Sequence, residues 1–321
     1  MSVVANVRIH PSQFPESIRR DLLASLRRRE INHKFHYDSV KQSQKWLAIH
    51  RRYSPARQDR DCRAIYEKSF TAAAESIRQS PVHLIGLGCG GGQKDLQLLK
   101  RLRSPRREIF YTPCDVSVAM VLIARRSALA VVPGDHCFPL VCDLATARDL
   151  PSSLLTGHPS LITFFGMIPN FEPQQILPRL ASLLRPGDLL LFSANLAPGQ
   201  NYAKGMQQIL PQYDNPLTRD WLMTFLHDVG IESADGEMRF SIENGRSGLK
   251  RVTARFRFRR SRRIELEEHP FHFRPGDHLR LFFSYRYTPD WVETVLKKYR
   301  LKVCNRWIAK SGEEGVFLCQ R

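Results

Sequence analysis

The apolar run Val82-His83-Leu84-Ile85 passes into Gly86-Leu87-Gly88-Cys89-Gly90-Gly91-Gly92 and then into Asp95-Leu96-Gln97-Leu98-Leu99-Lys100-Arg101-Leu102, whose leucines recur at helical spacing. A strand, a glycine turn and a helix in that order can bind an anion or a polar ligand. Glycine lets a ligand approach the backbone closely, and the helix start presents free N–H groups to it. A second apolar run, Ile109 to Cys114, ends in Asp115, 25 residues beyond Gly90 (115 − 90). In a doubly wound sheet such a carboxylate meets the two hydroxyls of a ribose. A third run ends in Asp143 after Pro139-Leu140-Val141-Cys142, and a fourth, Leu161 to Gly166, leads into the loop Met167 to Phe171. A dinucleotide enzyme carries Gly-x-Gly-x-x-Gly, and the third slot counted from Gly88 is Gln93. Two acidic strand ends and no second phosphate cradle fit an adenosine ligand with a short charged tail, so S-adenosylmethionine (SAM) is the expected cofactor.

The elements that must position these groups follow from the same pattern. Strand and helix alternate from about residue 81 to 195, closing with the turn Arg185-Pro186-Gly187-Asp188 and the strand Leu189 to Asn195. This predicts an α/β, doubly wound, mostly parallel sheet with right-handed crossovers. Residues 1–80 read as an N-terminal helical segment, with helices over Pro15 to Arg29 and Asp59 to Gln79. Between them the aromatics and the proline of residues 33–57, in a polar setting, read as an ordered loop crossing the domain. Residues 196–235 return to helix, and Val252-Thr253-Ala254-Arg255-Phe256-Arg257-Phe258-Arg259 alternates with period two, an antiparallel strand with one apolar and one basic face. Ile264 to Glu268 and Leu279 to Tyr287 continue that pattern. The expected organisation is 1–80 as helical segment and substrate loop, 81–195 as SAM-binding core, and 196–321 as a substrate-binding α+β lid that returns to the core.

With 321 residues the chain can bury a core without disulfide or metal staples. Its seven cysteines are odd in number and form no C-x-x-C pair, which points to thiols in a reducing compartment. The N-terminus shows no secretory apolar segment, so a cytoplasmic, non-membrane protein is expected. The balance of 49 Lys plus Arg against 31 Asp plus Glu gives +18. Its basic groups interleave with structured segments, which favours a high-pI enzyme over a nucleic-acid binder and leaves nucleic acid as the lesser alternative. His269, His272 and His278 lack a Cys or carboxylate in ligand register, so no metal is expected. Nucleophile-elbow, Walker and His-Glu-x-x-His motifs are missing from the sequence, which removes the usual support for a hydrolase or kinase. Asn170 follows Pro169, the reverse of the Asn-Pro order of base-modifying methyltransferases, which counts against an exocyclic base amine as target.

Taken together, the short motifs resemble the histidine Nα-methyltransferases of ergothioneine biosynthesis and their fungal relatives that methylate the amine of tryptophan derivatives. The matching pieces run in order along nearly the whole chain: Phe35-His36-Tyr37-Asp38, Tyr53-Ser54-Pro55-Ala56-Arg57, Gly86-Leu87-Gly88-Cys89-Gly90 with Lys94, Pro113-Cys114-Asp115-Val116-Ser117, Cys142-Asp143-Leu144, Phe164 to Phe171, Arg185-Pro186-Gly187-Asp188, and Tyr213-Asp214. The resemblance implies a Rossmann-like class I methyltransferase fold. It places Gly86, Gly88, Gly90 and Lys94 along the methionine part of SAM, Asp115 at the ribose, and Asp143 with Leu144 at the adenine. It assigns the substrate's amino-acid head group to Asn170 and Tyr213, adds Tyr37 and Tyr53 from the early loop, and sets Trp221 near a pocket-lining position.

The departures bear on the substrate. Histidine enzymes read Glu-x-Ser to hold the imidazole, and this chain reads Phe282-Phe283-Ser284; Val252 stands near a family methionine. A site without the carboxylate leaves a polar ring unpaired, so a tryptophan-like side chain is expected rather than histidine. The expected activity is SAM-dependent N-methylation of the α-amine of a free amino acid or derivative, by a monomer. Asn170, Tyr213, Tyr53 and Tyr37 are the candidate catalytic residues, and Tyr53, Trp221, Val252, Phe282 and Ser284 the candidates for side-chain selection. The alternatives are methylation of RNA or a protein side chain, and a catalytically silent SAM-binding protein.

Overall fold

A computed structural model describes residues 4–150, 154, 157–245 and 248–321, which belong to two compact units. Residues up to Gln13, Pro55–Leu196 and Tyr287–Arg321 make the first unit. Its sheet contains β1 (Arg8–Ile9), β2 (Val82–Leu87), β3 (Ile109–Asp115), β4 (Leu140–Val141), β5 (Ser160–Phe164), β6 (Leu189–Asn195) and the C-terminal strands Lys302–Ile308 and Glu314–Gln320. Strand order is β1-β4-β3-β2-β5-β6, then Glu314–Gln320, then Lys302–Ile308. Every pair from β1 to β6 is parallel, and the C-terminal hairpin joins β6 antiparallel. The fold is therefore α/β, a doubly wound and mostly parallel sheet. The succession reverses between β2 and β5, which sets the ligand crevice of such a sheet outside their carboxyl ends.

Sequence explains these strands directly. All residues of β2 and β5 are buried, as a parallel strand covered on both faces must be. Leu84 lies opposite Leu161, which lies opposite Leu189, and Phe70 of the helix Arg60–Ser76 packs into the same core. Each such burial contributes about 2 kcal/mol.

The second unit comprises Phe14–Ser54 and Ala197–Arg286. It holds the helices Pro15–Arg28, Val40–Tyr53, Tyr202–Tyr213 and Pro216–Asp228. Its antiparallel sheet runs in the order β11-β8-β7, with β7 Gly236–Asn244, β8 Lys250–Phe258 and β11 His278–Arg286; β9 (Arg262–Leu266) and β10 (His269–Phe273) form a hairpin. Val252 pairs with Ile242 on one side and Ser284 on the other, and a bulge lies between Arg280 and Phe282. The alternation expected for β8 is present from Ala254 to Phe258 and breaks at Thr253, which is buried like its neighbours. Val252, Ala254, Phe256 and Phe258 are buried, and the basic face is neutralised from β7, where Glu243 accepts Arg255 Nε at 2.6 Å and Glu237 pairs with Arg259.

Three features differ from the sequence reading. Residues 1–80 do not form one segment: Arg60–Ser76 joins the sheet unit because Ile65, Tyr66, Phe70 and Ala73 make a buried stripe, while 287–321 completes the same sheet. The aromatic stretch up to Tyr53 is largely helix rather than loop. Its start is a capping box in which Ser39 Oγ accepts the Gln42 N–H and Gln42 Oε1 accepts the Ser39 N–H, a signature already present in Ser39-x-x-Gln42. Strand β4 stops at Val141 because Asp143 turns the chain, its carboxylate accepting the Ala145 amide at 2.8 Å and the Thr146 hydroxyl at 3.0 Å. Among the described residues no helix is long and apolar enough to cross a membrane.

Candidate active site

In the first unit the glycine turn leaves the carboxyl end of β2 with positive φ at Gly88 (63°), Gly90 (51°) and Gly92 (71°), a conformation that side chains resist. A Cβ on Gly88 would lie 2.5 Å from Met167 Cγ, and one on Gly86 would lie 2.0 Å from Asp95 Oδ2. A side chain at Gly88 would be strained by its positive φ and would displace Met167, and one at Gly86 would push against the Asp95 carboxylate. Asp115, at the end of β3, ties the turn down: Oδ2 accepts the Gly90 amide at 2.9 Å and Oδ1 the Ser117 amide at 3.0 Å. Burial raises its carboxyl above the usual range, opposed by the amides of Ser117, Gly90 and Val116. The carboxylate, with about four lone-pair sites, keeps acceptor capacity for a further donor.

Asp95 lies beneath the turn. It accepts the hydroxyls of Tyr111 and Thr163, both at 2.8 Å, and burial raises its carboxyl from the ordinary 3.8 to about 6. A pKa raised by folding adds stability that is complete below the unfolded value and is lost as pH rises through the folded one. The Asp95→Asn variant keeps the shape and does not titrate. Relative to it, the wild type is expected to lose stability between about pH 4 and about pH 7, by on the order of 3 kcal/mol. Urea melts of both proteins across that range check the slope, and a flat difference would contradict it.

Asp143 is buried where β4 ends, and Leu144 follows it. Arg179, in the helix Pro173–Leu183, donates Nη1 to the Leu144 carbonyl at 2.8 Å and also to that of Ala145, so it fixes this loop. Asn170 ends the short helical turn Ile168–Asn170 after β5. That loop is pinned at Ile168, whose carbonyl accepts the Tyr287 hydroxyl at 3.0 Å, and at Gly166, whose amide donates to Ser193 Oγ at 2.9 Å. Lys94 Nζ donates to Tyr66 Oη at 2.7 Å, and the Tyr66 hydroxyl donates in a short bond to Glu314 Oε1.

The second unit gathers most of the candidate selection residues. Tyr213 Oη and Ser284 Oγ are 2.8 Å apart, and Arg286 Nε donates to Tyr213 Oη at 3.2 Å. Phe282 is walled by rings: Tyr213 and Trp221 each at 6.0 Å between centroids, and His33 at 5.2 Å. Tyr37 joins them through Trp221, 5.5 Å away. Trp221 Nε1 donates to the His36 carbonyl at 2.8 Å, and His36 Nε2 to the Leu281 carbonyl at 2.7 Å. A carbonyl only accepts, so Nε2 carries the proton of a neutral ring. Burial lowers His36 to about 4 and, with His36 and Arg280 nearby, His33 to about 3. Val252 packs with Met206 and Ala197 in a cluster against which Tyr213 also packs. Tyr53 ends the helix Val40–Tyr53 with 42% of its surface exposed and the Arg52 guanidinium over its ring.

Residues 18–321 match the family described as histidine-specific methyltransferase, SAM-dependent. The chain belongs to that family. Its similarity extends to the N-methyltransferase imqF of Aspergillus flavus, 23% identical over 273 residues that cover 82% of this chain and 73% of that protein. Among solved structures it is similar to magnesium protoporphyrin IX methyltransferase (ChlM) from Synechocystis PCC 6803, at 11% identity and a TM-score of 0.47 over 90% of this chain and 97% of that one. The glycopeptide N-methyltransferase MtfA complexed with SAM gives 14% identity and a TM-score of 0.40 over 80% and 93%.

The protein is thus a SAM-dependent methyltransferase built on an α/β, mostly parallel sheet. The residues present fit SAM: a glycine turn with positive φ at Gly88, Gly90 and Gly92 at the carboxyl end of β2, and a buried carboxylate at the end of β3, Asp115, with acceptor capacity left over. Sequence reasoning passed over Asp95, Tyr66, Glu314 and Arg179. Asp95 was legible, since it shares the buried stripe of Leu98, Leu99 and Leu102, and Tyr66 shares that of Ile65 and Phe70. Glu314 and Arg179 reach their partners only through tertiary packing.

Proposed function

We propose that this methyltransferase acts on the α-amine of a free amino acid or amino-acid derivative whose side chain is aromatic or apolar, tryptophan-like rather than histidine. The observation that carries this reading is the setting of Phe282, with Tyr213, Trp221 and His33 around it. The histidine enzymes that the sequence resembles carry a glutamate there. An imidazole set against this wall would lose its hydrogen-bonding partners, whereas a larger apolar ring exchanges water for aromatic contacts. Ser284 survives from the imidazole-reading pair, but its hydroxyl already meets Tyr213.

When bound, SAM supplies a sulfonium methyl that moves in line to nitrogen as the S–C bond breaks and an N–C bond forms. The chain's own residues do the rest. Gly86, Gly88, Gly90 and Lys94 hold the methionine part, Asp115 the ribose, and Asp143 with Leu144 the adenine. Asn170 and Tyr213 fix the amino-acid head group, Tyr53, Trp221, Val252, Phe282 and Ser284 select the side chain, and Tyr37 and Tyr53 are the candidate catalytic tyrosines of the early segment. The amine must arrive or become neutral, since an ammonium has no lone pair. Rate enhancement then rests on orientation and exclusion of water. The test is kcat/KM for tryptophan against histidine. A preference for tryptophan of about 100-fold or more is expected, and a preference for histidine overturns the reading.

A further inference from the structure

Behind the glycine turn of the first unit, the ammonium of Lys94 is held in an aromatic corner. It lies 3.9 Å from the Tyr66 ring centroid and 5.3 Å from that of Phe165, and donates to Tyr66 Oη at 2.7 Å. The phenol passes its own proton toward Glu314 in a short hydrogen bond. Glu314 is 7% exposed and Tyr66 3%. Ser193 approaches the same phenol, and its Oγ accepts the amide of Gly166, where the Asn170 loop begins. One polar chain therefore joins the cofactor turn to the start of that loop.

The spacing in this chain has a consequence. A carboxylate in direct contact with Lys94 would neutralise it and occupy its donors. With the phenol between them, Glu314 balances the charge at one remove, and two of the three ammonium N–H groups have no hydrogen-bond partner among the described residues. We infer that Tyr66 and Glu314 are positioning residues that keep Lys94 charged and aimed at the carboxylate of the methionine part of SAM. This rests on the reading that sets Lys94 along that part of the cofactor. Burial works the other way and lowers the Lys94 pKa; Glu314, Cys62 and Asp95 support its charge, and Arg57 opposes it. Without the Glu314 charge, Lys94 should lose its proton at a lower pH.

Calorimetric binding of S-adenosylhomocysteine and of 5′-methylthioadenosine, which lacks the amino-acid tail, tests the inference from about pH 6 to about pH 9. Lys94→Met is expected to weaken the homocysteine ligand by about 10-fold, the loss of one charge-assisted contact, and to leave methylthioadenosine unchanged. Glu314→Gln is expected to do the same at the alkaline end and progressively less toward the acid end, with Glu314→Asp recovering part of the loss. Tyr66→Phe should resemble Glu314→Gln. Equal weakening of both ligands by Glu314→Gln, a loss independent of pH, or no loss at all would overturn the inference while Lys94→Met still shows its effect. If Lys94→Met leaves the homocysteine ligand unaffected, the assignment of Lys94 itself is wrong.

Discussion

Asp115→Ala is expected to weaken SAM binding by more than about 100-fold while the sheet remains folded. The carboxylate has two tasks that fail together. It accepts the amides of Gly90 and Ser117 at 2.9 and 3.0 Å, and its loss leaves two buried donors unmatched, each costing roughly 1–3 kcal/mol. Gly90 sits at φ 51°, a conformation that the turn keeps only while such contacts specify it. The remaining lone pairs are those proposed for the ribose hydroxyls. Asp115→Asn should fall between the two, because its amide group can meet only one of the two N–H donors with an oxygen. Calorimetry gives the affinity and far-ultraviolet circular dichroism reports the fold. A folded Asp115→Ala protein that binds SAM within threefold of wild type would contradict this account of the turn.

Phe282→Glu is the second change with a large expected effect. Phe282 is 8% exposed, and the nearest of its ring neighbours is His33, at 5.2 Å. A carboxylate placed there has little water and must find a proton or a positive partner. His33, held near 3 by burial, is the group that would respond, and its pKa should rise in the variant, as an NMR titration of the imidazole would show. Activity toward tryptophan should fall by about 100-fold in kcat/KM, and the ratio of histidine to tryptophan turnover should rise. Unchanged discrimination would mean that Phe282 does not face the substrate.

How far the sequence reveals this molecule depends on the range of the interactions involved. The parallel sheet was legible because β2, β3 and β6 are continuous apolar runs ended by Gly, Asp or Asn, and local burial decides such strands. The antiparallel strand β8 was legible from its alternation, and the helix Pro15–Arg28 from its proline start. The helix Val40–Tyr53 was misread because its aromatics drew more weight than the Ser39–Gln42 box that starts it. The unit boundaries were set too simply, since the chain leaves the sheet unit at Gln13 and Leu196 and re-enters it at Pro55 and Tyr287. Those crossings depend on which stripe packs where, and no local signal marks them. In the site, the glycines and aspartates announce themselves by type and position at strand ends. Tyr66, Glu314 and Arg179 act through partners 28 to 248 residues away, so their roles appear only once the chain is folded.

The most direct test of the central claim is to incubate the purified protein with SAM and free tryptophan, and to locate any added methyl by fragment mass spectrometry. Methylation confined to the α-nitrogen, once or repeatedly, is the expected result. A methyl group on the indole ring, or no methylated product from tryptophan or any other free amino acid by a protein that binds SAM, would contradict it.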